Sequence, residues 1–136
     1  MAIEYLEHIN IHSENIDGLV DWYEDVLGMK NGERPNFGRG GAWLYVGEKP
    51  VLHLVERGKM DTSGEPRIEH YAMRCNGLGK TIEALRESKS RYWANYIPET
   101  DIVQVHTYDP DGNHIELAFA GDERSKDINL GAYNGD

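Results

Sequence analysis

A single cysteine among 136 residues leaves the chain without an internal disulfide. Cys75 on its own points to a reducing compartment, so a cytoplasmic protein is expected. Basic residues are scarce as well: 14 Lys and Arg stand against 24 Asp and Glu, a formal net charge of −10. That balance argues against a nucleic-acid partner, because phosphate binding needs clustered cations. No apolar run reaches membrane-spanning length, and the N-terminal residues, with Glu4 and Glu7, lack a secretory pattern. The expectation is a soluble globular protein, either one domain or two small halves sharing a core.

Two halves are visible as a repeat. Leu6-Glu7-His8-Ile9 returns as Ile68-Glu69-His70-Tyr71, a displacement of 70 − 8 = 62 residues. Leu52-His53-Leu54 returns as Ile115-Glu116-Leu117, displaced by 116 − 53 = 63. Near-equal displacements indicate two copies of one structural unit, each bringing two metal-ligand residue types at matched places.

Local periodicity gives the unit an order. Residues 3–12 alternate as a strand, with Ile9 and Ile11 on one face and His8, Asn10 and His12 on the other. Ser13 or Asn15 can cap a helix that carries Ile16, Leu19, Val20, Tyr23, Val26 and Leu27 at helical spacing and stops near Gly28. A strand near 30–37 and strands at 42–46 and 50–56 complete a β-α-β-β-β unit. Residues 57–67 are the linker between the halves. The order then repeats, with a strand at 68–75, a shorter helix marked by Leu78, Ile82 and Leu85, and strands at 91–97, 102–108 and 114–120. Asp109-Pro110-Asp111-Gly112 is a turn. Residues 121–136, polar and glycine-containing, read as a loose tail or an arm over a partner subunit.

His8 and His70 thus open the two halves, and His53 and Glu116 close them. Three imidazoles and a carboxylate suit one borderline divalent ion, such as Zn, Ni, Co, Mn or Fe(II), with positions open for substrate oxygens. Such an ion polarises a carbonyl or stabilises an enediolate. A lone strand histidine is more often a half-buried, hydrogen-bonded residue, and it is the matched positions that favour a metal for His8, His70 and Glu116 together; His53 is either a fourth ligand or a neighbour that never touches the metal. Arg74 shares a face with His70 and can receive a substrate anion or form a surface ion pair. His106 is a candidate proton carrier, on one face with Gln104 and Tyr108. Trp43 and Tyr45 form either an aromatic wall or helix packing.

The chain resembles the vicinal oxygen chelate superfamily, which includes glyoxalase I, extradiol dioxygenases, fosfomycin-resistance enzymes and bleomycin-binding proteins. The resemblance covers about residues 3–120. It rests on Glu7-His8-Ile9-Asn10-Ile11, on Asp21-Trp22-Tyr23 leading to Val26-Leu27-Gly28, on Glu69-His70-Tyr71-Ala72, and on Asp109-Pro110-Asp111-Gly112 with Ile115-Glu116-Leu117. It implies an α+β fold of two paired βαβββ modules (about 3–57 and 67–120) forming a cup-shaped sheet. That makes 1–120 a single glyoxalase-like domain, followed by the tail at 121–136. His8, His70 and Glu116 match the family's commonest ligand positions, and His53 matches the fourth ligand of glyoxalase I, usually Glu. A homodimer is also implied.

The resulting expectation is a metal-dependent isomerase or lyase acting on a small vicinal-oxygen metabolite. One divalent ion would sit on His8, His53, His70 and Glu116. Glu116 and His106 would act as catalytic groups, and Arg74, Tyr108 and Tyr45 would contact substrate. An Fe(II) extradiol-type dioxygenase and a metal-free, bleomycin-resistance-like binding protein are the alternatives, together with an idle domain whose histidines only pack.

Overall fold

The computed structural model describes residues 1–64, 66 and 68–136. Glu65 and Arg67, at the end of the expected linker, lie outside the described residues. Two compact units divide the chain, Met1–Ser63 and Gly64–Asp136. Each contains the strand, helix and three strands that the repeat predicts.

The first unit comprises β1 (Ile9–Ser13), α1 (Ile16–Asp25), β2 (Lys30–Gly32), β3 (Gly41–Val46) and β4 (Lys49–Glu56). Its sheet runs β1-β4-β3-β2, with β1 parallel to β4 and the other pairs antiparallel. Strand alternation sorts the side chains between two faces. Ala42, Leu44, Leu52 and Leu54 are buried on one face, where α1 contacts β3 and β4 and adds buried Leu19, Val20 and Tyr23. Each fully buried Leu of this layer contributes roughly 1.5–3 kcal/mol. Trp43, His53 and Val55 stand on the opposite face. The Asn15 side chain caps α1 by accepting from Gly18 N at 3.1 Å, and Ser13 Oγ accepts from Asn15 N at 2.8 Å.

Three strands are shorter than their sequence patterns, one of them the first strand of the second unit, which spans Tyr71–Arg74 rather than 68–75. β1 starts at Ile9 rather than residue 3, because Ile3 and Leu6 are exposed and no burial holds that alternation as strand. β2 stops at Gly32, and Pro35, which has no N–H for a ladder, lies in the irregular stretch that follows.

The second unit comprises β5 (Tyr71–Arg74), α2 (Leu78–Glu87), β6 (Tyr92–Ile97), β7 (Ile102–Tyr108), β8 (His114–Ala120) and β9 (Gly131–Tyr133), in the sheet order β5-β8-β7-β6-β9. β5 is parallel to β8. Val103, Val105, Ile115, Leu117 and Phe119 form the buried face, and α2 adds buried Leu78, Ile82 and Leu85. The β7–β8 turn is tight: Gly112 has φ +86 and donates from its N to Asp109 O at 2.8 Å, a conformation suited to glycine. Asp109 Oδ1 accepts from Asp111 N at 3.0 Å and Asn113 N at 2.9 Å.

The last residues are not the loose tail that composition allows. A 3-10 turn at Gly121–Glu123 is followed by β9, which pairs antiparallel with β6. Tyr133 lies 5.5 Å from the Tyr92 ring, and the Arg86 guanidinium sits 4.7 Å over Tyr133. No helix among the described residues is long and apolar enough to cross a membrane.

Glu123 ties this C-terminal segment to α2. The residue preceding that helix, Gly77, has no side chain to cap it, and Glu123 Oε1 accepts from Gly77 N at 2.7 Å and Leu78 N at 2.9 Å. A carboxylate here both satisfies orphan N–H groups and meets the positive end of the helix dipole. Glu123→Ala is expected to cost about 1–2 kcal/mol in urea unfolding, and Glu123→Gln, which keeps an acceptor oxygen, to recover part of it. An unchanged unfolding midpoint in the alanine variant would contradict this role.

Candidate metal centre

The two parallel strand pairs repeat the same register. Asn10 lies opposite His53 across β1 and β4, and Ala72 lies opposite Glu116 across β5 and β8. The displacements are 72 − 10 = 62 and 116 − 53 = 63, those of the sequence repeat. His8 and His70 each stand two residues before the paired position. By strand parity each belongs to the same face as the residue closing its own unit.

In the first unit the imidazoles of His8, His53 and the indole of Trp43 form a stack. His53 lies 3.9 Å from His8 and 4.0 Å from Trp43, with both interplanar angles 11°. His53 Nε2 is 3.1 Å from Pro50 O. A carbonyl oxygen only accepts, so Nε2 carries the proton and Nδ1 holds the lone pair. Burial first, and then the neighbouring His8 charge, hold the His53 pKa below its ordinary value, while the Pro50 bond and Glu7 act in the opposite direction. His8 Nδ1 donates to Glu7 Oε1 at 3.0 Å, leaving its Nε2 free to coordinate.

The second unit repeats this device. His70 Nδ1 donates to the Glu69 carboxylate, and His70 Nε2 faces Glu116 Oε1 at 3.8 Å. Two donors bound at about 2.1 Å to a tetrahedral ion stand about 3.4 Å apart, so this pair needs little adjustment to share one. A carboxylate on the far nitrogen of a metal-binding imidazole fixes its tautomer and raises its basicity. Both Glu-His dipeptides of the repeat supply that carboxylate from the residue just before the histidine.

Sequence reasoning missed His114. Its Nδ1 donates to Glu69 Oε1 at 3.0 Å, and its Nε2 lies 3.0 Å from His106 Nδ1. Glu69, His70 and His114 form a cluster whose ligand atoms all lie within 4.8 Å of one another. The signal was its parity with Glu116 on β8, two residues away. The hydrogen bond from His70 is the leading cause that lowers the Glu69 pKa. His106 is stacked on Trp93 at 4.7 Å and 8°. Burial lowers the His106 pKa, against the Glu116 charge that raises it.

The expected substrate-contacting residues are distributed differently. Tyr108 lies 5.3 Å from the His114 ring, under the Arg91 guanidinium at 4.4 Å. Arg74, exposed on β5, forms no hydrogen bond or ion pair among the described residues. Tyr45 belongs to the first unit, where its hydroxyl donates to Glu33 O at 2.6 Å.

Known proteins share this architecture. The chain is 30% identical to "Glyoxylase I 4" of Arabidopsis thaliana, a match spanning 82% of this chain and 68% of the plant protein. The glyoxylase/bleomycin resistance protein/dioxygenase domain from Frankia sp. EAN1pec superposes with a TM-score of 0.74 at 17% identity, covering 88% of this chain and 99% of that one. The genomically encoded fosfomycin resistance protein FosX from Listeria monocytogenes gives 0.67 at 12% identity, covering 88% and 95%. At such identities the two structures speak for the fold alone. The model of one family matches residues 5–117, nearly the whole repeat, and the chain belongs to it: the Glyoxalase/Bleomycin resistance protein/Dioxygenase superfamily.

Proposed function

We propose that this chain is a divalent-metal-dependent enzyme acting on a small metabolite with vicinal oxygens, by isomerase or lyase chemistry. The observation that carries the reading is the duplicated carboxylate–imidazole pair. His8 and His70 each give Nδ1–H to the preceding glutamate and keep Nε2 available, and Glu116 Oε1 lies 3.8 Å from His70 Nε2. The matched positions of the sequence repeat nominate His8, His53, His70 and Glu116 as the ligands. This mixed nitrogen and oxygen set suits Zn, Ni, Co, Mn or Fe(II). When bound, such an ion supplies Lewis-acid polarisation of substrate oxygens.

The protein's own groups hold and move the proton. His114 gives its Nδ1–H to Glu69, so its Nε2 accepts from His106 Nδ1 and leaves His106 Nε2 with a lone pair. Burial keeps His106 neutral to lower pH than an ordinary histidine, so Nε2 serves as a base near neutrality. Glu116 is the second candidate base. Arg74, Tyr108 and Tyr45 contact substrate, and the working form is a cytoplasmic homodimer. Fe(II) with the same donor set would redirect the reading toward a dioxygenase, so the identity of the ion divides the two.

Elemental analysis is expected to give about one equivalent of metal per chain, lost in His70→Ala while circular dichroism is unchanged. Glu7→Gln and Glu69→Gln are expected to weaken metal affinity by about 10–100-fold without abolishing it. A chain that takes up no ion after reconstitution, or a His70→Ala variant that keeps its metal, would remove the enzyme reading and leave a ligand-binding module.

Stability of the metal-stripped chain should depend on pH in a set direction. His53 and His106 have folded pKa values below the ordinary 6.5. The unfolded chain therefore takes up protons first as pH falls, and stability drops below about 6.5 until the folded values are passed. Urea midpoints measured from roughly pH 8 to pH 5 should fall, with a shallower slope in the His53→Gln/His106→Gln double variant. Equal slopes in the two proteins would contradict the assignment.

A further inference from the structure

The first unit holds a cavity of about 500 Å³ whose lining includes Arg34, Phe37, Arg39, Trp43 and His53. Its charged lining residues are both cations, in a chain of net charge −10. Neither arginine has a carboxylate within ion-pair distance among the described residues. Arg34 is held in place: its Nη1 donates to Arg39 O at 3.1 Å, and its guanidinium lies 5.0 Å from the Phe37 ring centroid. Its Nε is shielded from solvent with no hydrogen-bond partner among the described residues. A sequestered guanidinium N–H without an acceptor costs about 1–3 kcal/mol, so the position of Arg34 is kept at the expense of stability.

Gly41 makes the placement of Arg34 possible. A Cβ there would collide with the Leu54 carbonyl oxygen and come within 2.9 Å of Arg34 Nη2. Beside Asn10 and Val55, the other walls are flat rings: Trp43 is stacked on His53 at 4.0 Å, and Phe37 lies 6.2 Å from Trp43. A planar body fits against those rings, and a carboxylate matches the guanidinium fork in bidentate fashion.

We propose that Arg34, assisted by Arg39, is the anion anchor of a ligand subsite in the first unit, and that this subsite takes a small carboxylate with a flat, apolar body. This names the substrate class of the chelate reading above and rests on that reading for the chemistry, though not for the binding. The substrate then carries its vicinal oxygens beside a carboxylate-bearing planar group, because His53 belongs to both the cavity wall and the candidate ligand set.

Benzoate and its neutral isostere benzamide, titrated into the full chain by calorimetry and by following the Arg Nε–H and Trp indole signals in NMR, test the proposal. Benzoate should bind saturably at millimolar concentration or better, move the Arg34 and Trp43 signals, and weaken as salt is added. Benzamide should bind at least about tenfold more weakly, and Arg34→Gln should cost benzoate a similar factor while metal content is unchanged. His70→Ala, which empties the candidate metal centre, should leave benzoate affinity intact, so failure of the chelate reading and failure of the subsite register separately. Equal binding of the two probes, no saturable benzoate binding, or an Arg34→Gln variant with wild-type affinity would overturn the proposal. The wild-type comparison decides the matter even if Arg34→Gln disturbs the loop.

Discussion

In each unit the first and last strands of the βαβββ order pair in parallel, and one register of that ladder sets which side chains share a face. Shifting either pair by one residue would send Leu52 and Leu54, or Ile115 and Leu117, out of the buried layer. Burial of these residues therefore fixes the register. The same register places Asn10 opposite His53 and Ala72 opposite Glu116. The candidate ligands are held by the apolar face they do not belong to. Their own polar contacts, Glu7 to His8 and Glu69 to His70, then orient rings whose positions are already decided.

This division of labour explains the uneven environment of the histidines. His53 is enclosed between two rings, and this burial favours its neutral form against the opposing pull of its bond to the Pro50 carbonyl. His106 is likewise desolvated against Trp93. His8 and His70, at the entrances of their strands, are more exposed and depend on an adjacent carboxylate for orientation. Burial thus acts on His53 and His106, whereas for His8 and His70 the adjacent carboxylate fixes which ring nitrogen carries the proton and which way the ring points.

The repeat and the period-2 alternation made the element order, the buried faces and the four matched ligand candidates legible in the sequence. Relations that span many residues without a period did not show. His114 meets Glu69 across 45 residues of chain, and Glu123 meets Gly77 across 46. Strand β9 has three residues, too few for alternation to register, and it depends on pairing with β6. Arg34 lies in an irregular stretch between β2 and β3, where neither helical nor strand spacing applies. Ile3 and Leu6 erred the other way, since they alternate like strand residues and yet remain exposed.

Glu69 uses both of its oxygens, Oε2 for His70 and Oε1 for His114, and His114 in turn holds His106. One carboxylate rotamer therefore sets three rings at once. Energetically these residues form a single coupled group rather than a sum of pairs. Removing Glu69 and removing His114 dismantle overlapping parts of it, so the effects of the two changes will not add. Positions 69, 106 and 114 therefore behave as one unit under substitution: what a change at one costs depends on what occupies the other two.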